Sequence, residues 1–231
     1  MNLDLPESLA AEVGAEAPRR ARGRPRKTAD ERDDGNRRRE LIEGAARLFR
    51  QQGFGATTTR DIAAAVGMQS GSPFYHFESK EALLAAVMLE GMQGALRRQN
   101  AALAQLAENA TARERLHTLV RNHFDVLLGP DSDFIPVMLY EWRSIDAAQR
   151  GEVNRLKDEY EGAWSPVLQA LHEERRLAAD PALARLMIFG ALNWSAQWYA
   201  PPSGRSAKAR GRASLDELTT SALQLFLKEP T

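Results

Sequence analysis

The sequence predicts an all-α chain, with an N-terminal three-helix head joined to a larger helical body. Three observations lead there. Apolar residues recur at helical spacing across most of the chain. No segment alternates apolar and polar residues as a half-buried strand would. Residues 57–84, TTTRDIAAAVGMQSGSPFYHFESKEALL, read as a helix, a tight glycine turn, a second short helix and the capped start of a third.

The elements follow in order. Residues 1–35 mix Pro, Gly, Ala and charge with no periodic apolar face, so they read as a disordered basic arm. Residues 36–52 place Leu41, Ile42, Ala45, Leu48 and Phe49 on one side of a helix, which Gly53 ends. Thr58 and Asp61 then fit a capping box. Ile62, Ala63 and Val66 make a short apolar face, kept thin by Ala63, Ala64 and Ala65 so that another helix can approach. Gly67 ends this helix where a left-handed residue costs little. Gln69, Ser70, Gly71 and Ser72 are small or polar, and such side chains reach base edges and phosphates without a steric barrier. Ser79 caps a long helix to about residue 106.

The body also reads as helices. Residues 110–128 carry Leu116, Leu119, Val120, Phe124 and Leu127 on one side, and Gly129, Pro130 and Asp131 break the pattern. Residues 134–145 hold Met138, Leu139 and Trp142. Residues 149–176 read as one long helix kinked at Pro166. Asp180 and Pro181 cap a helix to Tyr199. A loop spans 201–212, and a final amphipathic helix carries Leu215, Leu218, Ala222, Leu225 and Phe226.

Composition excludes several classes. There is no cysteine, hence no disulfide scaffold and no thiolate metal site. The first 18 residues contain Asp4, Glu7, Glu12 and Glu16 and no long apolar run, so no secretory leader is expected. No window approaches the roughly 20 apolar residues of a membrane span. The expected location is the cytoplasm. The 31 basic and 31 acidic residues cancel, but their distribution is uneven. Arg19, Arg20, Arg22, Arg24, Arg26 and Lys27 form a run with no acid, and Arg37, Arg38 and Arg39 follow just before the first strong helix. Within the run, Arg22-Gly23-Arg24-Pro25 is similar to an AT-hook core. A slender Gly/Pro chain with flanking arginines suits an A·T-rich minor groove; a solvated tail touching only phosphates fits the same residues. An enzyme is not indicated. His117 and His123 are six residues apart and share no helix face, and no Gly-x-Ser-x-Gly, His-Glu-x-x-His or phosphate loop occurs.

The stretch around 57–84 is more specific than a generic helical hairpin. It resembles the DNA-binding domain of the tetracycline-repressor (TetR) family of transcription regulators. The matching residues are Arg37 to Ile42, Ala45, Ala46, Leu48, Phe49, Gly53, Phe54, Thr57 to Ala63, Gly67, Gly71, Tyr75, His76, Phe77 and Ser79 to Leu83. The resemblance is close over 37–88 and beyond that is one of helical plan. It implies a helix-turn-helix domain over 36–83, whose second helix enters the major groove, and an effector-binding and dimerisation domain over 84–231. It assigns Thr58, Thr59 and Arg60 to phosphates at the start of the second helix, Gln69, Ser70, Gly71 and Ser72 to the groove, and Tyr75, His76 and Lys80 to phosphates. Arg22 and Arg24 add the arm. Tyr75 and Phe77 cannot both point outward, and Phe77 is expected in the core. Two positions depart from the family pattern. Pro73 replaces the usual leucine or isoleucine, and Phe74 the common tyrosine. A proline suits only the first turn of a helix, so the recognition helix should start late or be partly 3₁₀.

For the body, the resemblance implies a cavity for an apolar or amphipathic effector. Phe124, Met138, Trp142, Arg143, Trp164 and Asn193 are the candidate contacts, although aromatic and Met side chains in such numbers also fill an ordinary helical core. Leu192-Asn193-Trp194 and Trp198-Tyr199 resemble a subgroup that responds to fatty acyl-CoA thioesters. The last two helices, with Gly190 and Ala191 permitting close approach, are the expected homodimer surface; closing the monomer core is the other use for them. The implied function is a repressor on palindromic double-stranded DNA, released by its effector and needing no cofactor or metal. A non-specific, nucleoid-type DNA binder is the alternative.

Overall fold

The computed structural model describes residues 29–68, 73–129, 132–199 and 213–228. Among these residues every regular element is a helix. α1 (Ala29–Gln52) begins inside the segment whose composition suggested disorder. Four of residues 30–34 are acidic, which favours the positive end of a helix dipole. Residues 34–40 are all exposed, and the core begins at Leu41. α2 (Thr59–Ala65) has the expected capping box. Thr58 Oγ1 accepts from the Asp61 amide (3.1 Å), and Asp61 accepts from the Thr58 amide (2.8 Å). The Thr58 hydroxyl, donating to the carboxylate at 2.6 Å, and then the Thr58 amide hold the Asp61 carboxyl below its ordinary pKa. Gly67 takes φ +67°, and Met68 N–H reaches back to the Ala63 carbonyl at 2.8 Å, closing the helix as the sequence suggested.

The described part of α3 runs Pro73–His76, with the proline at its first position. α4 (Lys80–Ala104) starts at Ser79, whose hydroxyl accepts from Ala82 N–H at 3.0 Å. Its first turns bury Leu83, Leu84, Val87 and Met88, and its later turns bury Met92, Ala95 and Gln99. One helix therefore serves head and body. A Cβ on Gly91 would lie 2.6 Å from Phe134 Cβ, so the absence of a side chain lets α6 (Phe134–Glu141) close onto α4.

α5 (Ala112–Leu128) is the central helix of the body, capped by Thr111 and Glu114. A 3₁₀ turn, Trp142–Ser144, extends α6. The single long helix expected over 149–176 is instead two, α7 (Ala147–Gly162) and α8 (Trp164–Glu173). Pro166 has no N–H to donate, and its ring crowds the carbonyl four residues back, at Gly162. The chain breaks there rather than kinking at the proline itself. α9 (Pro181–Trp194) is capped by Asp180, whose Oδ1 accepts from Ala182 and Leu183. It ends at Trp194 and passes into a 3₁₀ turn, Ser195–Gln197, instead of continuing to Tyr199. α10 (Leu215–Phe226) carries a capping box from Ser214 and Glu217.

The buried side chains form one continuous cluster from Leu41 in α1 to Leu227 after α10. Trp164 is fully buried within it. Polar ties cross its edges. Arg121 on α5 pairs with Asp125 and with Asp216 of α10, the latter at 2.7 Å, and Arg185 on α9 pairs with Glu161 on α7.

Candidate nucleic-acid interface and effector region

The head presents α2 and α3 beside each other. Thr58 is exposed, but its hydroxyl is committed to Asp61, donating at 2.6 Å and accepting from the amide. Thr59 is half-buried and Arg60 exposed on the same turn. Tyr75 is 82% exposed, while Phe77 packs into the core with the Arg38 guanidinium 4.9 Å above its ring. The recognition segment is thus anchored by one aromatic and presents another outward. Gln69, Ser70, Gly71 and Ser72 lie outside the described residues, as do Arg22 and Arg24.

Two residues assigned to phosphates have partners inside the protein. Lys80 Nζ donates to the carbonyls of Phe54 (2.8 Å) and Thr57 (2.9 Å) and lies 4.1 Å from the Phe54 ring centroid. It therefore clamps the α1–α2 turn onto the start of α4. The His76 side chain is 9% exposed, and its Nδ1 stands 3.4 Å from the Asp34 carboxylate. The end of the recognition helix thus lies beside the outer part of α1.

Two links between head and body were not read from the sequence. Glu141, at the end of α6, accepts from Phe54 N–H at 3.0 Å, and its other oxygen accepts from Ser144 at 3.2 Å. Arg50 Nη1 donates to the Ser132 carbonyl (2.8 Å) and hydroxyl (3.0 Å), and lies 3.3 Å from Asp133. Both links attach the α1–α2 region to α6 or the residues just before it. No local pattern marks such pairs, because their members are more than 80 residues apart.

The candidate effector residues separate into two groups. Trp164 and Asn193 meet at His123. Asn193 Oδ1 lies 3.0 Å from His123 Nε2, and Tyr160 Oη lies 3.1 Å from Nδ1. An amide oxygen only accepts, so Nε2 carries the proton and Nδ1 accepts from the tyrosine. Burial lowers the His123 pKa to about 4, so the ring is neutral, and burial raises that of Tyr160. The rings of Trp164 and Phe189 stand 6.0 and 5.2 Å from the imidazole. Trp164 Nε1 donates to Gln99 Oε1 at 3.0 Å, and Gln99 Nε2 to the Tyr160 carbonyl at 2.9 Å. Near this network, Asn122 Nδ2 is buried without a hydrogen-bond partner. Phe124 is buried on α5, next in sequence to His123. Met138 and Trp142 are half-buried and Arg143 exposed, on α6 and its 3₁₀ turn. Two open clefts flank the start of α5. One of about 570 Å³ is lined by residues including Arg113, His117 and Leu223. The other, of about 650 Å³, includes Leu103, Pro166 and Val167. Neither cleft contains a candidate effector residue.

One surface is apolar where a monomer gains nothing from it. On α9, Leu183, Leu186, Met187 and Trp194 are exposed, Met187 by 73%, with Gly190 and Ala191 between them. Leu225 of α10 is 82% exposed. The α9 residues recur at helical spacing and form a stripe, the signature of a helix face meant for a partner.

Known proteins share this organisation. Residues 41–87 match the model of the bacterial regulatory proteins of the tetR family, and residues 109–229 that of the tetracyclin repressor-like C-terminal domain. The chain is 31% identical to the HTH-type transcriptional repressor KstR2 of Rhodococcus jostii (strain RHA1), over 71% of this chain and 80% of that protein. Its fold is similar to that of the superantigen PfiT, at 37% identity and a TM-score of 0.68, covering 84% and 97% of the two chains. It is also similar to the transcriptional regulator FadR from Bacillus subtilis, solved in complex with stearoyl-CoA, at 24% identity and a TM-score of 0.62, covering 81% and 96%.

Proposed function

The chain belongs to the tetR family of bacterial regulatory proteins, and we propose from this that it is a dimeric, sequence-specific transcriptional repressor released from DNA by a small apolar or amphipathic effector. The observation that carries this reading is the pairing, in one chain, of a capped helix-turn-helix with a larger helical body bearing an exposed apolar stripe. The chain acts by binding, not by catalysis. Residues 36–83 form the reading unit, and 84–231 the effector and dimerisation unit. The α9 and α10 faces of two copies join in a twofold dimer, which matches the symmetry of a palindromic operator. The protein works in the cytoplasm, where its DNA is; no described helix is long and apolar enough to cross a membrane.

At the DNA, Thr59, Arg60 and Tyr75 meet phosphates, with Gln69, Ser70, Gly71 and Ser72 toward the bases. Thr58, His76 and Lys80 stand at the same surface, and the internal bonds of Thr58 and Lys80 orient the elements that touch DNA. In the body, Phe124, Met138, Trp142, Arg143, Trp164 and Asn193 are the effector contacts. An acyl-CoA is the effector class we favour. Leu192-Asn193-Trp194 and Trp198-Tyr199 support it, as does the likeness in fold to a Bacillus protein solved with stearoyl-CoA. Effector binding shifts the population toward a head arrangement that fits DNA less well, which requires different affinities for the two arrangements.

The test is binding to DNA from upstream of the protein's own gene, at about physiological salt with excess random duplex, with and without a panel of acyl-CoAs. Tight binding that survives competition and is lost with one acyl-CoA is the expected result. Specific binding untouched by the panel removes the acyl-CoA assignment and keeps the repressor. Binding abolished by random duplex on this and on genome-wide fragments favours the nucleoid-type alternative.

A further inference from the structure

We propose that Asn122 sets the specificity of the effector site, its side-chain amide donating to the thioester carbonyl of an acyl-CoA bound at the centre of the body. The proposal rests on the acyl-CoA reading above and names the group of that effector which the protein recognises.

A polar cluster lies in the apolar core where five helices meet. Gln99 comes from α4, Asn122 and His123 from α5, Tyr160 from the last turn of α7, Trp164 from the start of α8 and Asn193 from α9. Polar groups are costly in such a place unless each finds a partner. Gln99 uses both ends of its amide, on Trp164 Nε1 and the Tyr160 carbonyl. His123 uses both ring nitrogens, on Tyr160 and Asn193. Asn122 is different. It is only 8% exposed, and its Nδ2 is buried with no partner among the described residues. Burial raises the Tyr160 pKa, and the Asn122 amide beside the hydroxyl lowers it in part, although it is not placed to donate a hydrogen bond there. A leucine of similar size would fill the position without that cost. Packing alone therefore gives no reason for an asparagine.

The unused group dictates what completes it. A donor requires an acceptor. The groups bonded within the cluster carry no charge, since burial lowers the His123 pKa to about 4 and the others are amides, an indole and a phenol. A carboxylate would be desolvated there without a counter-charge, so the acceptor is a neutral carbonyl. A thioester carbonyl only accepts. An amide carbonyl brings an N–H as well, and Gln99 Oε1 and His123 Nδ1 are already taken by Trp164 and Tyr160. The cluster reaches the surface at the half-buried Asn193, beside the exposed Trp194. At that edge the large polar CoA moiety stays outside, while the thioester and the acyl chain pass inward.

The experiment titrates the full chain calorimetrically with hexadecanoyl-CoA and with S-hexadecyl-CoA, the thioether in which a methylene replaces the carbonyl. The unmodified chain should bind the thioester about tenfold more tightly, as one buried hydrogen bond allows. Asn122→Leu and the smaller Asn122→Ala should bind the two ligands alike, at about the affinity of the unmodified chain for the thioether. Without ligand, Asn122→Leu should melt at or above the midpoint of the unmodified chain, because an apolar group of similar size replaces a donor that the fold leaves unused. Three results overturn the proposal: equal binding of the two ligands by the unmodified chain, a preference for the thioester that survives in the variants, or binding of neither ligand. The first two leave the acyl-CoA reading standing. The third removes it as well, and the repressor reading then rests on DNA binding alone.

Discussion

Gln99→Met removes the amide that joins three elements of the body while keeping the side chain's length. In the native protein Gln99 is fully buried on α4. It accepts from Trp164 Nε1 at 3.0 Å and donates to the Tyr160 carbonyl at 2.9 Å. Tyr160 lies in the last turn of α7, whose carbonyls have no partner within their own helix. Gln99 thus completes the end of α7 and satisfies a core indole together. The substitution orphans one buried acceptor and one buried donor, each costing about 1–3 kcal/mol, so the loss should be about 2–6 kcal/mol. With a urea slope of about 2 kcal/mol/M, the midpoint should fall by about 1–3 M at fixed protein concentration. The double variant with Trp164→Phe should cost less than the sum of the singles by about 2–6 kcal/mol, because it contains neither the indole N–H that Gln99→Met orphans nor the Gln99 Oε1 that Trp164→Phe orphans. A midpoint change below about 0.3 M, or additivity within about 0.5 kcal/mol, would refute the network as a source of stability.

Three further outcomes are expected. His123 has a folded pKa of about 4 against an ordinary value of 6.5, lowered by burial. The unfolded chain therefore binds more protons between those values, and the contribution, about 3 kcal/mol, is present above pH 6.5 and lost as pH falls toward 4; urea titrations across that range should be flatter for His123→Gln than for the unmodified chain. Gly91→Ala places a methyl against Phe134 Cβ at 2.6 Å, and should destabilise by up to about 2 kcal/mol, since overpacking of about 1–3 kcal/mol is offset by the gain of about 1 kcal/mol in helix propensity; a rise in thermal midpoint would show that α6 moves aside freely. Met187→Asp puts a charge on the exposed α9 stripe, and should give a folded monomer in sedimentation with at least about tenfold weaker binding to a palindrome.

The helical plan was legible because most of its signals are local. The Thr58–Asp61 box and Gly67 were read from the sequence and act within five residues; the Thr111–Glu114 and Ser214–Glu217 boxes, not read there, carry the same local pattern. The α7–α8 break was misplaced because Pro166 acts on the residue four before it, where the chain has an unremarkable Gly162. Lys80 and His76 illustrate the limit at the candidate site. Their chemistry suits a phosphate, and only the fold reveals the Phe54 and Thr57 carbonyls and the Asp34 carboxylate beside them. Gln99 carries no sequence signal at all: a glutamine in a long helix is usually solvated, and its burial follows from where α7 and α8 cross α4.

The two fastenings of the head converge on one short stretch. Phe54 is held by Glu141, and Arg50 by Ser132 and Asp133, so α6 is gripped at both ends by the DNA-reading unit. Gly91 adds a close seat on α4. This has a genetic consequence. Alleles that repress permanently, or fail to repress while the protein remains folded and abundant, should cluster at residues 132–144 as densely as in the recognition helix, although none of those residues belongs to the helix-turn-helix.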